Sequence, residues 1–315
     1  MGAKMSKAVD AEGREISLSD AENKCYIAPL RCVHCSTELS FTGQYLRQLG
    51  DDTVTVSACF KLKRGNVHKT DCPFDLTEKV TIVARESSPA VLSKNESGKY
   101  ELRLLAVKEA IFGLRDIENK ESKSNNPESR PKVGKEYVKS KKQLSSYLST
   151  ARQVLKIRAQ CEDNREVEDN LELVFNGNRV HWKDFYFMDQ DYFRCYTNLQ
   201  RATINIPIAI QGLVRSTKVV PGKYGERAVL NLISPYRETD DPKVIDTVNI
   251  SIWSSNLSSF DKFKYKDSII IFGFWKAGKI DEREGASEKT KGKVYRNRQI
   301  SMSLLTNSQI CPEKS

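Results

Sequence analysis

Five of the chain's eight cysteines and two of its three histidines fall between Cys25 and Cys72. That density limits what the first quarter of the chain can fold into. Cys32-Val-His-Cys35 is a C-x2-C pair, and His68-Lys-Thr-Asp-Cys72 is an H-x3-C pair. Zinc takes four nitrogen and sulfur ligands in a tetrahedron, and two turns that each present two side chains can build one. The expected ligands are Cys32, Cys35, His68 and Cys72. Cys59 competes with His68 for the fourth position, and His34 and Cys25 are close enough in sequence to be considered. A zinc with four protein ligands has no open position for water, so it would be structural. The alternative is a set of buried, reduced thiols. A disulfide framework belongs to short secreted domains and does not suit a chain of 315 residues without a secretory signature.

The run from Asp20 through Cys72, with its C-x2-C, Phe60 in a strand, then Gly65, His68, Cys72 and Pro73, resembles the zinc-binding N-terminal module of the competence-protein CoiA-like group. Cys59-Phe60 stands where that group has His-Phe. The resemblance implies a bacterial protein of competence, recombination, mobile-element or phage-related processes. CoiA-like proteins also carry a nuclease-type domain. The nearest candidate here, Asp116-Ile-Glu118-Asn-Lys120, has an E-x-K spacing but sits at the edge of a polar linker instead of inside an apolar strand, so a metal-dependent nuclease centre is not expected there.

Beyond the cysteines, the expected fold class is α+β and multidomain. Residues 1–24 read as a flexible N-terminus, 25–86 as the zinc module, 87–200 as a mixed α/β middle region, 201–308 as an OB-fold-like barrel and 309–315 as a tail. Within the module, apolar pieces run over Cys25–Leu30, Thr53–Leu62 (a strand) and Val80–Ala84. A basic flexible loop spans 120–142, a solvated linker that could also act as a nucleic-acid arm. Leu144, Tyr147, Leu148, Ala151, Val154 and Leu155 then recur at helical steps, predicting a helix that begins after Ser140, ends near Gln160 and buries that stripe as core. Leu171, Leu173 and Phe175 alternate with polar neighbours, Asn176-Gly177 supplies a hairpin turn, and Val180 and Trp182 resume the alternation. His181 is read as structural.

From Arg201 the period changes to two. Ile204, Ile206, Ile208 and Ile210 alternate with polar or small residues up to Gly212, which is expected to let a long first strand bend. Arg227–Ile233, Thr247–Trp253, Ser268–Trp275 and Tyr295–Leu305 read as four more strands, with a short helix-like connection over Ser254–Tyr265. Three strands, a helix and two strands is the order of the OB-fold, a five-stranded barrel that binds oligonucleotides on strands 2 and 3 and on the loops joining strands 1 to 2 and 4 to 5.

The candidate nucleic-acid contacts follow from that frame. Val248, Ile250 and Ile252 claim the inner face of the third strand, so Asn249, Ser251 and Trp253 face outward, with Trp253 as a stacking platform. The first of the two loops contributes Lys218, Lys223, Tyr224 and Arg227. The second contributes Lys289, Lys291, Lys293, Tyr295, Arg296 and Arg298, five basic groups and an aromatic without an acidic residue. Cations neutralise phosphates and aromatic rings stack on bases.

Lys+Arg exceed Asp+Glu by 51 − 41 = +10, a balance that favours a polyanionic partner. The longest apolar runs fall well short of the roughly 20 residues of a spanning helix, and no signal-type apolar core precedes them, so a cytoplasmic protein without a membrane partner is expected. No Gly-rich phosphate loop, H-E-x-x-H motif or Ser-His-Asp order is present, and three histidines leave little acid–base chemistry. The expected function is therefore non-enzymatic: a zinc-stabilised protein that binds nucleic acid, single-stranded DNA foremost. A protein-binding adaptor built on the same barrel and a cryptic nuclease are the alternatives.

Overall fold

The computed structural model describes residues 4–104, 141–161, 164–202, 206–222, 225–285 and 292–313. They form a mixed α/β structure, mostly sheet, in two units. One comprises residues 1–102 and 153–173, the other residues 103–152 and 174–315. The basic segment 120–140 and the Asp116 to Lys120 motif lie outside the described residues, as do Lys223, Tyr224, Lys289 and Lys291.

In the first unit, β1 (Lys7–Val9), β2 (Glu15–Ser17), β3 (Leu30–Arg31) and β4 (Glu38–Thr42) precede a separate hairpin of β5 (Tyr45–Leu49) and β6 (Asp52–Val56). Then β7 (Cys59–Leu62) completes a five-stranded sheet of order β2-β1-β3-β4-β7. The single strand expected over Thr53–Leu62 is thus two strands in two sheets. Residues 4–24, expected to be flexible, are part of the core. Met5, Ala8, Ile16 and Ala21 are buried against Leu30, Leu39, Phe60 and Leu62. Short apolar residues spaced by turns carry too little periodicity to announce such a sheet in the sequence.

Val80 and Val83 are buried on one face of the helix Leu76–Glu86, which Asp75 caps by accepting from the Thr77 N–H. The stretch Val80–Ala84 belongs to a helix whose buried residues, Leu76, Val80 and Val83, recur at steps of four and three. Strands β8 (Leu92–Lys94), β9 (Tyr100–Arg103) and β10 (Leu171–Phe175) are successive neighbours in a further sheet, and β10 turns back into β11 (Asn178–Val180). Asn176 and Gly177 both have positive φ, 49° and 79°, which is what a two-residue hairpin loop requires. Trp182 does not extend this hairpin. It is buried in a short helical turn, Trp182–Phe185, led by His181. The long helix spans Lys141–Gln160, and its stripe from Leu144 to Leu155 is buried as the spacing predicts.

The second unit is organised around a nine-stranded sheet. Its strands are β12 (Tyr186–Phe187), β13 (Ile208–Val220), β14 (Arg227–Leu232), β15 (Tyr236–Glu238), β16 (Val244–Ser254), β17 (Ser268–Gly273), β18 (Lys276–Glu284), β19 (Val294–Ser303) and β20 (Ile310–Pro312). The main path runs β18-β19-β16-β14-β13-β17-β20, with β12 on β13 and β15 on β16. Neighbours β13–β14, β14–β16, β13–β17 and β18–β19 are antiparallel, and β16–β19 is parallel. The closed five-stranded barrel expected from the alternation is therefore an open, larger sheet. The fourth expected strand, Ser268–Trp275, ends at Gly273 as β17, and β18 from Lys276 is a further strand that was not expected. Between them Trp275 is buried and its indole N–H donates to the Ile208 carbonyl at 3.3 Å. That anchor turns the chain before it can continue along β13. The helix-like connection is one 3-10 turn, Leu257–Phe260.

Gly212 serves packing more than bending. The helix Tyr192–Arg201 lays its first tyrosine across β13, where the Tyr192 hydroxyl donates to the Gln211 carbonyl at 2.9 Å. A Cβ on Gly212 would run into that hydroxyl and into Leu232. The irregularity of the strand comes further on, at a bulge between Val214 and Ser216.

Candidate functional site

Two constellations carry chemistry, one in each unit. In the first, the turn after β3 brings Cys32 and Cys35 together, closed by a Ser36 N–H to Cys32 carbonyl bond and by Ser36 in a left-handed conformation. The segment after β7 returns His68 and Cys72. One ligand atom from each of the four lies within 4.8 Å of the others. Cys32 Sγ and Cys72 Sγ are 3.8 Å apart, His68 Nδ1 is 3.3 Å from Cys35 Sγ, and it is 3.5 Å from Cys72 Sγ. A tetrahedron with zinc–sulfur bonds of ~2.3 Å and zinc–nitrogen bonds of ~2.05 Å has sulfur–sulfur edges of ~3.8 Å and sulfur–nitrogen edges of ~3.5 Å. The donor set and its edges fit a four-coordinate metal ion.

The electrostatics of the bare cluster point the same way. Burial works against a thiolate at Cys35, but the Thr37 hydroxyl, His68 and the backbone N–H groups of Lys69 and Thr37 bring its pKa down to about 5. Burial pushes Cys72 up to about 12, the Phe74 N–H opposing it and the neighbouring Cys35 and Cys32 sulfurs adding to it. Three sulfurs at this spacing repel one another as thiolates, and a divalent cation at their centre removes that repulsion. The competing ligands are elsewhere. Cys59 sits in β7 opposite Thr42, Cys25 is exposed beside the Asn23 carbonyl, and the His34 ring packs on Phe74 with centroids 5.5 Å apart.

In the second unit, the alternation along β16 divides it as expected. Val248, Ile250 and Ile252 are buried in the core, while Asn249 and Trp253 are half-buried on the opposite face. Ser251, expected on that outer face, is covered by its neighbours: its hydroxyl donates to Asn231 Oδ1 at 2.7 Å and accepts from Gln299 Nε2 at 3.1 Å. Asn231 Nδ2 in turn donates to Ser216 Oγ at 3.4 Å. An uncharged row of hydroxyl and amide groups thus crosses four adjacent strands, from β13 through β14 and β16 to β19. A parallel group lies beside it, where Asn297 Oδ1 accepts from Thr247 and Asn249, and Asn249 accepts from Ser234. Sequence reasoning missed Asn231, Gln299 and Asn297. The period-two alternation of β14 and β19 marks their face, but only the strand register shows that they meet.

At one end of this face stands Trp253, paired across β16 with Val229 on β14 and Ser303 on β19. The Arg227 guanidinium lies 5.5 Å from the Trp253 ring and donates to Ser303 Oγ at 3.3 Å. Lys218 on β13, Lys293 before β19 and Tyr295 on β19 complete the described part of the expected set, the two lysines exposed and Tyr295 half-buried.

Arg296 and Arg298, expected in that set, do not lie on this face. They share the face of Ile300 and Met302, and both are paired with acids: Arg298 with Asp246 at 2.8 Å, Arg296 with Asp246 at 3.7 Å and with Glu282 at 3.2 Å. Arg298 also lies 5.6 Å from the Phe193 ring. Read as a linear segment, 289–298 holds no acid. The parallel pairing of β16 with β19 and the return of β18 supply two.

No protein-family model matches the chain, and no curated protein matches it. Among solved structures, the small single-stranded DNA-binding protein from Streptomyces coelicolor aligns over 34% of this chain and 94% of its own at 15% identity, with a TM-score of 0.22. The Plasmodium falciparum SSB in complex with ssDNA aligns over 34% of this chain and 92% of its own at 14% identity, with a TM-score of 0.21. Among the described residues, no helix is long and apolar enough to cross a membrane.

Proposed function

We propose that the chain is a nucleic-acid-binding protein that holds single strands, DNA foremost, on the outer face of β14, β16 and β19, with a structural zinc at Cys32, Cys35, His68 and Cys72. The observation that carries this reading is the Arg227–Trp253 pair beside an uncharged amide and hydroxyl row, two residues further along β16. Stacking platforms combined with neighbouring cations suit a single strand, whose bases are free to stack and whose phosphates need neutralising. The connectivity supports it. Taking β13, β14, β16, β17 with β18, and β19 as strands 1 to 5 gives the OB-type order, and β14 and β16 are then strands 2 and 3, the nucleic-acid face of that fold. Lys218 on β13, Lys293 and Tyr295 would contact the backbone, and Lys223, Tyr224, Lys289 and Lys291, outside the described residues, are further candidates. The resemblance of the metal module to the CoiA-like group is consistent with a DNA-handling process.

Titrating the full chain with fluorescent single-stranded DNA, single-stranded RNA and duplex at several salt concentrations tests the reading. Single strands should bind more tightly than duplex, with log affinity falling against log salt by roughly 0.7 per neutralised phosphate. Equal binding to duplex, or binding that ignores salt, would instead favour a protein-binding adaptor.

A further inference from the structure

The row Ser216–Asn231–Ser251–Gln299 does not stop in open solvent at β13. Immediately before Ser216 comes exposed Arg215, at the bulge. On the other edge of β13, the turn Lys262–Asp267 is bonded to the same point: Lys266 N–H donates to the Val214 carbonyl at 2.7 Å, and Val214 N–H donates to the Asp267 carbonyl at 2.9 Å. This turn reads Lys262-Phe-Lys264-Tyr265-Lys266, with the three lysines and Tyr265 exposed, Tyr265 by 54%. Phe263 is its buried anchor. Asp267 spends one carboxylate oxygen on the Lys264 N–H at 2.7 Å, which ties the turn down.

Lys266 is held at φ +67°, a region in which glycine or asparagine is at home and a long side chain is not. Its ammonium lies 5.2 Å from the Tyr265 ring. A cation kept at a costly backbone position, beside an exposed ring, repeats the pattern of Arg227 on Trp253.

We propose that the turn Lys262–Lys266, with Arg215, is a second nucleic-acid contact: a strand crossing the sheet along the polar row leaves it over β13, stacks a base on Tyr265 and places its phosphates against the lysines. The proposal rests on the reading of the β14–β16–β19 face given above and extends its length. From Trp253 on β16 the path crosses β14 and β13 to the turn, three strand spacings of ~4.8 Å or ~14 Å, which two or three nucleotides at ~3.4 Å each would not cover.

The test uses the full chain with oligothymidines of about 3 and about 16 nucleotides, the longer within the range of site sizes of single OB folds. Tyr265→Ala should weaken the longer oligonucleotide by roughly 5- to 150-fold, the range of one lost stacked base, and leave the shorter one unchanged. Replacing Lys262 and Lys264 with Ala should lower the salt slope for the longer oligonucleotide by roughly 0.7 for each phosphate no longer neutralised. Lys266→Gly separates function from folding, because it relieves the positive φ: its melting temperature should rise while its affinity for the longer oligonucleotide falls. If Trp253→Ala weakens binding and these variants do not, the turn is not a contact and only this extension fails. Equal losses on both oligonucleotides also overturn it, since they place the turn outside a length-dependent path. If the wild-type chain binds no single strand, the underlying reading fails and this one with it.

Discussion

The guanidinium of Arg227 lies 5.5 Å from the indole of Trp253, on neighbouring strands and on the face turned away from the core. A cation over an aromatic face at a part-exposed site contributes ~0.5–1 kcal/mol, enough to orient the ring but too little to explain an indole on that face. In the proposed function the pair meets a ligand that brings flat bases and phosphates.

Trp253→Ala is expected to cost ~1–3 kcal/mol of single-strand affinity and to leave the salt slope unchanged, because stacking displaces no counterions. Arg227→Ala should lower the slope by roughly 0.7 and also weaken binding through the loosened ring. Fluorescence anisotropy across a salt series reads both numbers. If Trp253→Ala instead lowers the slope, the indole is positioning a cation and is not a platform.

Purified chain should carry one zinc held by Cys32, Cys35, His68 and Cys72. Elemental analysis should find it absent from Cys32→Ser and Cys72→Ser and retained in Cys59→Ser, whose sulfur lies outside the group. Metal-free protein of otherwise wild-type sequence that is indifferent to added zinc would overturn the assignment.

The pH dependence of that metal follows from the two perturbed thiols. At neutral pH the metal-free cluster holds Cys35, at about 5, as thiolate and Cys72, at about 12, as thiol. Zinc requires thiolates, so its uptake at neutral pH should expel the Cys72 proton, measurable as acid release in weak buffer. Affinity should fall as pH falls, and more steeply below about 5, where Cys35 of the metal-free cluster also takes a proton that zinc must displace. A chromogenic chelator would follow the release.

Asp246 and Arg298 are three-quarters or more covered, with 14% and 18% of their side chains exposed, and form an ion pair at 2.8 Å. Asp246→Asn should lower the stability of the second unit by roughly 1–3 kcal/mol in a urea titration, since it takes the counter-charge from Arg298 and leaves Arg296 with Glu282 alone. Its single-strand affinity should not fall. A loss of binding with unchanged stability would return Arg296 and Arg298 to the nucleic-acid set.

Gly212→Ala should lower the melting temperature of the second unit, by ~1–3 kcal/mol of overpacking against the Tyr192 hydroxyl and Leu232. Tyr192→Phe should recover part of the loss in the double variant, by removing the oxygen that collides.

Local spacing determined a good deal of this protein without any tertiary information. The C-x2-C and H-x3-C pairs are each set by one turn, so the four residues that come together were legible as two pairs. The stripe from Leu144 to Leu155, the Asn176-Gly177 turn and the two faces of β16 follow from the 3.6 and 2.0 periods, which are properties of the backbone alone. Tertiary structure decided what depends on register between distant strands. It pairs Arg298 with Asp246, joins Asn231 to Ser251 and Gln299, brings Met5 to Phe60, and gives Gly212 its reason in a tyrosine from another element. It also ends the fourth expected strand at Gly273, buries Trp275 after it and adds β18, giving a larger open sheet where alternation alone reads a closed barrel. Periodicity states which side of a strand a residue occupies. Only the fold supplies the neighbour that it meets there, and for a charged side chain that neighbour decides whether the charge is spent inside the protein or offered to a ligand.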